Sequence, residues 1–437
     1  MVQFNLPENF LMGTATASVQ IEGGDTNNTW YQWCEKGRIK DSSSCITAND
    51  HWNRVHEDIR LLKELNVKTH RMSIEWSRIQ PAKGQFSEEA LLHYREELSI
   101  LLANEIHPLV TLHHFSEPIW FHELGAWERD ENIEYFLEFV RYVIEKLGDL
   151  VCDWITFNEP NVYTAMGYAS GIWPPGESSA SKVLKVQSSL IKAHVKAYEV
   201  IHSIREYKEF PGQTKVGCAM HIRVFEGVGL FGKLVAWVAD YFFNHLLFDG
   251  TATGRLGFPL SGKGCRHKPG KYIDFIGINY YTRNVLKFAF KPSSFFYEEI
   301  EDNKYPKTDS GWDIYPEGLY KACQKYYKKY QLPIYITENG INDQCDDKKM
   351  NFICSHLSSL YKAIREGIPV KRYYYWTLMD NFEWHEGETT RFGLVSCNFR
   401  NQQRKMRKSG WFYSQICKFK RVTPELLKKA KHAEVSR

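Results

Sequence analysis

The 437-residue sequence lacks any run long and apolar enough to cross a bilayer. A spanning helix needs about 20 apolar residues. The most apolar stretch, Leu230 to Phe248, is broken by Lys233, Asp240, Asn244 and His245. The start, Met1-Val2-Gln3-Phe4-Asn5-Leu6-Pro7-Glu8, has neither the basic nor the apolar region of an export leader. A cytoplasmic location without membrane attachment is expected. The ten cysteines form no CxxC pair and are read as reduced, mostly buried thiols. No histidines fall in HExxH or another zinc spacing. Neither metal nor cofactor is expected. Nothing in the chain sets an oligomeric state.

Also missing are Pro/Gly/Ser-rich linkers, low-complexity tracts and repeats of fixed period. A single domain over residues 1–437 is expected, with a basic tail from about 418. The net charge is only +4, but residues 404–437 hold 11 Lys/Arg and 2 Asp/Glu, a local +9, which leaves −5 for the remainder. This reads as a solvated C-terminal face, and no nucleic-acid partner is expected. Gly227-Val228-Gly229-Leu230-Phe231-Gly232 satisfies GxGxxG literally. A dinucleotide site needs that turn directly between a strand and a helix. The preceding strand is expected to end near His221, so the motif reads as a loop.

Eight short apolar or β-branched runs are present: Phe10–Thr16, Val67–Ile74, His107–His113, Cys152–Phe157, Lys215–His221, Tyr272–Tyr281, Leu332–Thr337 and Val370–Leu378. Between them lie helical patterns, clearest at Asn53–Leu65, Ser87–Ala103, Glu131–Leu147, Ala180–Glu206 and Asn351–Gly367, with apolar residues three or four apart. Residues 222–231 and 284–311 read as long loops. Strand–helix alternation repeated eight times predicts an α/β protein, a closed (β/α)₈ TIM barrel.

Two carboxylates stand where such a barrel presents reactive groups. Glu159 follows the fourth run within Asn158-Glu159-Pro160, and Glu338 follows the seventh within Thr337-Glu338-Asn339-Gly340. A carboxylate after a strand can simply cap the next helix. Two of them across one site are what glycoside hydrolysis needs, about 5–5.5 Å apart for retention of configuration. The 13 tryptophans suit both a large core and stacking on sugar rings.

These residues resemble glycoside hydrolase family 1, the β-glucosidase and β-galactosidase family, over roughly residues 3 to 417. The resemblance is carried by Phe10 to Ser18 with Gln20-Ile21-Glu22-Gly23, Arg71 to Ile79, Thr156 to Pro160, Gly277 to Tyr281, Gly311 to Pro316, Tyr335 to Gly340 and Asp380 to Trp384. It implies a retaining β-glycosidase acting on short β-glycosides from the non-reducing end. Glu338 resembles the nucleophile and Glu159 the acid/base, with Arg71 and Tyr281 holding Glu338. Asn158, Asn279, Gln20, His114, Glu383 and Trp384 resemble the sugar-binding set, and Trp376 the platform under the ring. Where the family usually has Trp after the histidine, this chain has Phe115; where Tyr usually precedes the glutamine, it has Val19. Members acting on 6-phospho sugars carry Ser, Lys and Tyr where this chain has Glu383, Thr390 and Phe392. Two other readings stand beside hydrolysis: a transglycosidase using the same glycosyl-enzyme, and a sugar-binding protein without catalysis.

Overall fold

A computed structural model describes residues 3–260, 268–291 and 296–428. Eight parallel strands close into a ring: β1 (Leu11–Ala15), β2 (Thr69–Ser73), β3 (His107–His113), β4 (Asp153–Asn158), β5 (Lys215–Val228), β6 (Ile276–Phe288), β7 (Ile334–Asn339) and β8 (Val370–Trp376). Each strand pairs with its neighbours in sequence. The ring closes between β8 and β1, with Trp376 opposite Ala15. This is the expected (β/α)₈ barrel. Every residue of β4 and β7 is buried, as parallel strands covered by helices outside and filled by side chains inside must be.

The helices named by periodicity are α1 (His51–Glu64), α2 (Glu88–Ala103), α3 (Ile133–Leu147), α4 (Ala180–Tyr207) and, after β7, Lys349–Arg365. Their ends follow local chemistry. Ser87 caps α2 by accepting from the Ala90 N–H, and Glu88 and Glu89 sit in its first turn, where the helix dipole favours negative charge.

Two expectations are corrected. Strand β5 does not end near His221 but runs to Val228, and β6 runs to Phe288. Past the barrel rim the two continue as a pair, from Val224 opposite Arg283 to Val228 opposite Lys287. Residues 297–299 then pair antiparallel with β6. Residues 222–228, 284–288 and 297–299, which read as loop, are therefore ladder, because each strand supplies the other's backbone partners. The helix Gly229–Asp240 starts directly after β5, so the glycine motif does stand between strand and helix. Its glycine has a packing reason: a Cβ on Gly227 would fall 2.2 Å from the carbonyl oxygen of Gly232.

The basic C-terminal segment is also less solvated than expected. Arg404 is buried against Asp58 of α1, with Nε 2.9 Å from Oδ1. Arg407 binds the buried Asp380 at 2.5 Å. Residues Arg421–Val422 pair with Phe4–Asn5, joining the two ends of the described chain. Residues 429–437 of the expected tail lie outside the described residues. Among the described residues no helix is long and apolar enough to cross a membrane.

Candidate active site

The C-terminal ends of the strands converge on one cavity of about 620 Å³. It is lined by His114 from the end of β3, Asn158 and Glu159 from β4, Tyr281 from β6, Glu338 from β7, Trp376 from β8, and Glu383 and Trp384 from the loop after β8. Arg71 of β2, Asn279 of β6 and Gln20 after β1 are buried behind this lining. The barrel brings all eleven residues singled out in the sequence into one connected set. Glu159 precedes the short helix Pro160–Thr164, yet its side chain makes no capping bond. Its backbone is left-handed, φ 41° and ψ 56°, an unfavourable conformation for a side chain with a Cβ. The capping explanation for this carboxylate therefore fails.

The two carboxylates have different partners. Glu338 accepts from the Arg71 guanidinium at 2.5 Å and from the Tyr281 hydroxyl at 2.7 Å. Arg71 spans the site, since its other terminal nitrogen donates to Asn158 at 2.7 Å. Glu159 accepts from Asn279 at 2.8 Å and lies 3.1 Å from Nδ1 of His221. The Thr337 hydroxyl donates to Asn279 at 2.6 Å and so orients that amide.

Burial raises Glu338 to about 7, with Arg71 pulling downward and Glu159 pushing further up. Near neutrality the pair therefore shares one proton. His221 decides where it rests. A charged imidazole would draw the negative charge onto Glu159, whereas a neutral one leaves the Arg71 guanidinium to hold it on Glu338. Burial keeps the His221 pKa below its ordinary value, which favours a neutral imidazole. At Glu159 the upward push of burial is outweighed by the hydrogen bonds from His221 and Asn279, which draw it below its own ordinary value. Acid catalysis needs the shared proton on Glu159, and a neutral imidazole together with Arg71 on Glu338 favours that placement. One carboxyl protonated beside one ionised is the division of labour that acid catalysis with nucleophilic attack requires.

On the other side of the cavity stand groups suited to sugar hydroxyls. The Gln20 amide donates to the carboxyl of Glu383 at 3.3 Å, and its Oε1 is a buried acceptor with no protein partner. His114 contacts Asn158 at 3.0 Å through Nε2, while Nδ1 is buried and unpaired. The His114 ring lies nearly parallel to Trp376 and Trp384, at 25° and 22°. Phe115 packs edge-on against Trp384 and Trp173, inside this aromatic cluster. Burial and the neighbouring Glu338 push Glu383 up to about 8. Its raised pKa favours the protonated form at neutral pH in the unliganded site. Thr390 and Phe392 line the same cavity.

Sequence reasoning missed His221 and Arg223, which also line the cavity. The available signal was position: His221 closes the fifth apolar run, as Glu159 and Glu338 follow the fourth and seventh.

A (β/α)₈ barrel with two buried carboxyls facing one cavity, one held by a guanidinium and a phenol, is the arrangement of a glycoside hydrolase. Comparison with known proteins gives the same class. The family model for glycosyl hydrolase family 1 matches residues 2–227 and 268–422. Beta-glucosidase A of Thermotoga maritima is 33% identical over 442 residues, 94% of this chain and 97% of that protein. The structure of a beta-glycosidase from Pyrococcus horikoshii superposes with a TM-score of 0.89 at 38% identity, covering 98% of each chain. A chloroplastic galactolipid galactosyltransferase of Arabidopsis thaliana is 31% identical over 395 residues, 85% of this chain and 58% of that protein. The chain belongs to glycosyl hydrolase family 1, and it is a retaining β-glycosidase.

Proposed function

We propose that this enzyme releases glucose from the non-reducing end of short β-glucosides, in a single catalytic domain located in the cytoplasm. Glu338 attacks the anomeric carbon through a carboxylate oxygen while the bond from that carbon to the leaving oxygen breaks. Glu159 gives its proton to the leaving oxygen. Water then attacks the glycosyl-enzyme, Glu159 takes a proton from it, and Glu338 is released as carboxylate. Arg71 and Tyr281 keep Glu338 ionised and aimed. Asn158 bonds the sugar 2-OH, while Gln20, His114, Glu383 and Trp384 take O3, O4 and O6 above the Trp376 ring. Asn279 holds Glu159 and Asn158, at 2.8 and 3.0 Å, and acts through them on the sugar.

The observation that carries this reading is the asymmetry of the carboxylate pair: Arg71 and Tyr281 on Glu338, neutral donors on Glu159. The nine cysteines of the described residues are all free, which supports a reducing compartment. The deciding experiment is a hydrolysis panel of nitrophenyl β-glucoside, β-galactoside, β-fucoside, β-mannoside and 6-phospho-β-glucoside. The unphosphorylated glucoside should give the highest kcat/KM. A higher value on the mannoside or the 6-phosphate would sink the proposal. A second reading, glycosyl transfer to an acceptor alcohol, rests on the relationship to the galactosyltransferase and shares the same intermediate. Product analysis with added acceptor separates the two.

A further inference from the structure

We propose that His221 and Arg223 are positioning residues that fix the acid proton of Glu159 on its Oε2 oxygen. The inference rests on the acid/base assignment of Glu159 and deepens it. The argument begins at Arg223. Its Nε donates to Nε2 of His221 at 3.2 Å. An arginine nitrogen can only donate, so Nε2 must present a lone pair and the imidazole hydrogen must sit on Nδ1. Nδ1 lies 3.1 Å from Oε1 of Glu159 and therefore donates to it. Oε1 accepts a second hydrogen from Asn279 at 2.8 Å. With two N–H groups directed at Oε1, a carboxyl hydrogen on that oxygen would meet donors. The hydrogen is excluded from Oε1 and rests on Oε2.

The relay is built, not incidental. Asn244 clamps the backbone of Arg223 from both sides, accepting from its N–H at 3.1 Å and donating to its carbonyl at 2.8 Å. Asn161 donates to the carbonyl of His221 at 2.8 Å. Tyr281 lies nearly parallel to the imidazole at 27°, and Phe243 meets it edge-on at 87°. The Arg223 guanidinium lies 5.3 Å from the Phe243 ring centre. The charged and titratable groups around the relay are Glu159, Arg71, Glu338 and Tyr281 on the catalytic side, and Glu299 and Tyr297 near Arg223. Arg223 opposes protonation of His221, in keeping with the neutral imidazole that its hydrogen bond to Nε2 requires.

The consequence is directional. During glycosylation the O–H bond of Glu159 Oε2 breaks and its hydrogen passes to the leaving oxygen. During deglycosylation the same oxygen receives the hydrogen from water. Oε1 stays bound to His221 and Asn279 throughout, so the carboxyl need not rotate between the two steps.

Two measurements test this. In the first, imidazole ¹⁵N shifts of the wild-type enzyme are recorded from pH 5.5 to 8, with His221 assigned by difference against His221→Asn. A neutral ring with hydrogen on Nδ1 is expected, and Arg223→Met should raise its pKa. An imidazolium at pH 7, or hydrogen on Nε2, overturns the proposal whatever the activity of the variants. The second compares His221→Leu with His221→Asn, which keeps an N–H donor. On an alkyl β-glucoside, His221→Leu should lower kcat/KM at least ~30-fold, within the range typical of acid/base catalysis. On 2,4-dinitrophenyl β-glucoside, which needs no protonation, it should lose less than about threefold. Asn should restore most of the difference. Equal loss on both substrates, or no rescue by Asn, overturns the relay. If Glu159→Ala itself shows no leaving-group dependence, the acid/base assignment has failed instead.

Discussion

At the scale of single residues, the catalytic reading turns on what each carboxylate touches. Glu338 is the one with a permanent cation on it. Glu338→Gly should therefore remove nearly all turnover while the fold persists, because glycine leaves the barrel strand and its ladder in place. Azide or formate should restore cleavage of an activated aryl glucoside, with inverted product. Substantial activity without an added anion would contradict the nucleophile role. Glu159→Ala should behave differently. Substrates with poor leaving groups should lose ~100-fold or more, and activated ones far less in the first step. Azide should then trap the glycosyl-enzyme with retained configuration, and an equal loss on every substrate would count against an acid/base. Both glutamates were legible in the sequence because each directly follows an apolar run in a short polar motif. His221 was not, because its one signal, closing the fifth apolar run, says nothing of chemistry until its distances to Glu159 and Arg223 are known. Glu383 was legible as a position but not as a charge state, since burial beside Glu338 raises it only once the barrel closes around both.

At the scale of elements, the loop after β8 decides what the sugar's outer edge can carry. Glu383, Trp384, Thr390 and Phe392 all reach the cavity from it. A phosphate on O6 would bring about −1.5 to −2 charges to this edge. The basic residues that meet the loop are already engaged: Lys40 binds Glu386 at 2.9 Å, and Arg407 binds Asp380 at 2.5 Å. Arg391 lies 3.7 Å from the same aspartate. Glu383 supplies no fixed negative charge there, since burial and the neighbouring Glu338 favour its protonated form near neutral pH. A dianion beside it would hold that proton in place, and Lys40 and Arg407 are already paired with carboxylates. The free sugar can instead exchange hydrogen bonds with the carboxyl through O4–H and O6–H. The expected outcome is at least ~100-fold weaker kcat/KM on the 6-phosphate, roughly 2.7 kcal/mol. Comparable rates on the two substrates would refute this reading of the loop. The extension of β5 and β6 beyond the rim shows why other elements were less legible. Arg223 and Glu226 interrupt the apolar pattern of β5, so a window along one strand stops at Ile222. The ladder continues because the partner strand continues, and partners are invisible to periodicity.

At the scale of the whole molecule, the barrel was legible because eight apolar runs and the helices between them repeat one unit. The long-range ties that fasten its periphery were not. Arg404 belongs to a basic run that reads as surface, yet its side chain is 1% exposed and meets Asp58, itself 1% exposed, from far along the chain. Asp58 also bonds His51 at 2.8 Å, and His51 bonds Glu97 at 3.1 Å. Two cations and two carboxylates thus balance in a buried cluster joining α1, α2 and the C-terminal segment. Burial works against a charged His51, but Glu97 and Asp58 outweigh it and lift its pKa from 6.5 to about 10. The sign of the linkage follows. The folded state holds this proton more tightly than the unfolded chain, so the stabilisation is complete below pH 6.5 and fades as pH rises towards 10. At ~1.4 kcal/mol per unit of pKa difference, the loss reaches several kcal/mol. Buried carboxyls raised to about 7 and 8, Glu22 and Glu383, add loss in the same direction over the lower part of that range. The wild-type enzyme should therefore lose unfolding free energy steadily from pH 6.5 to 10 in denaturant titrations. His51→Gln should be less stable at pH 6 by about 3–5 kcal/mol, the typical penalty for removing one partner of a buried pair. Its stability should also fall less steeply with pH, so that the two curves converge near pH 10. Because the cluster lies away from the cavity, the variant's kcat/KM at 25 °C should match the wild type wherever it is folded. Parallel curves for the two proteins between pH 6.5 and 10 would show that His51 is not charged in the folded state.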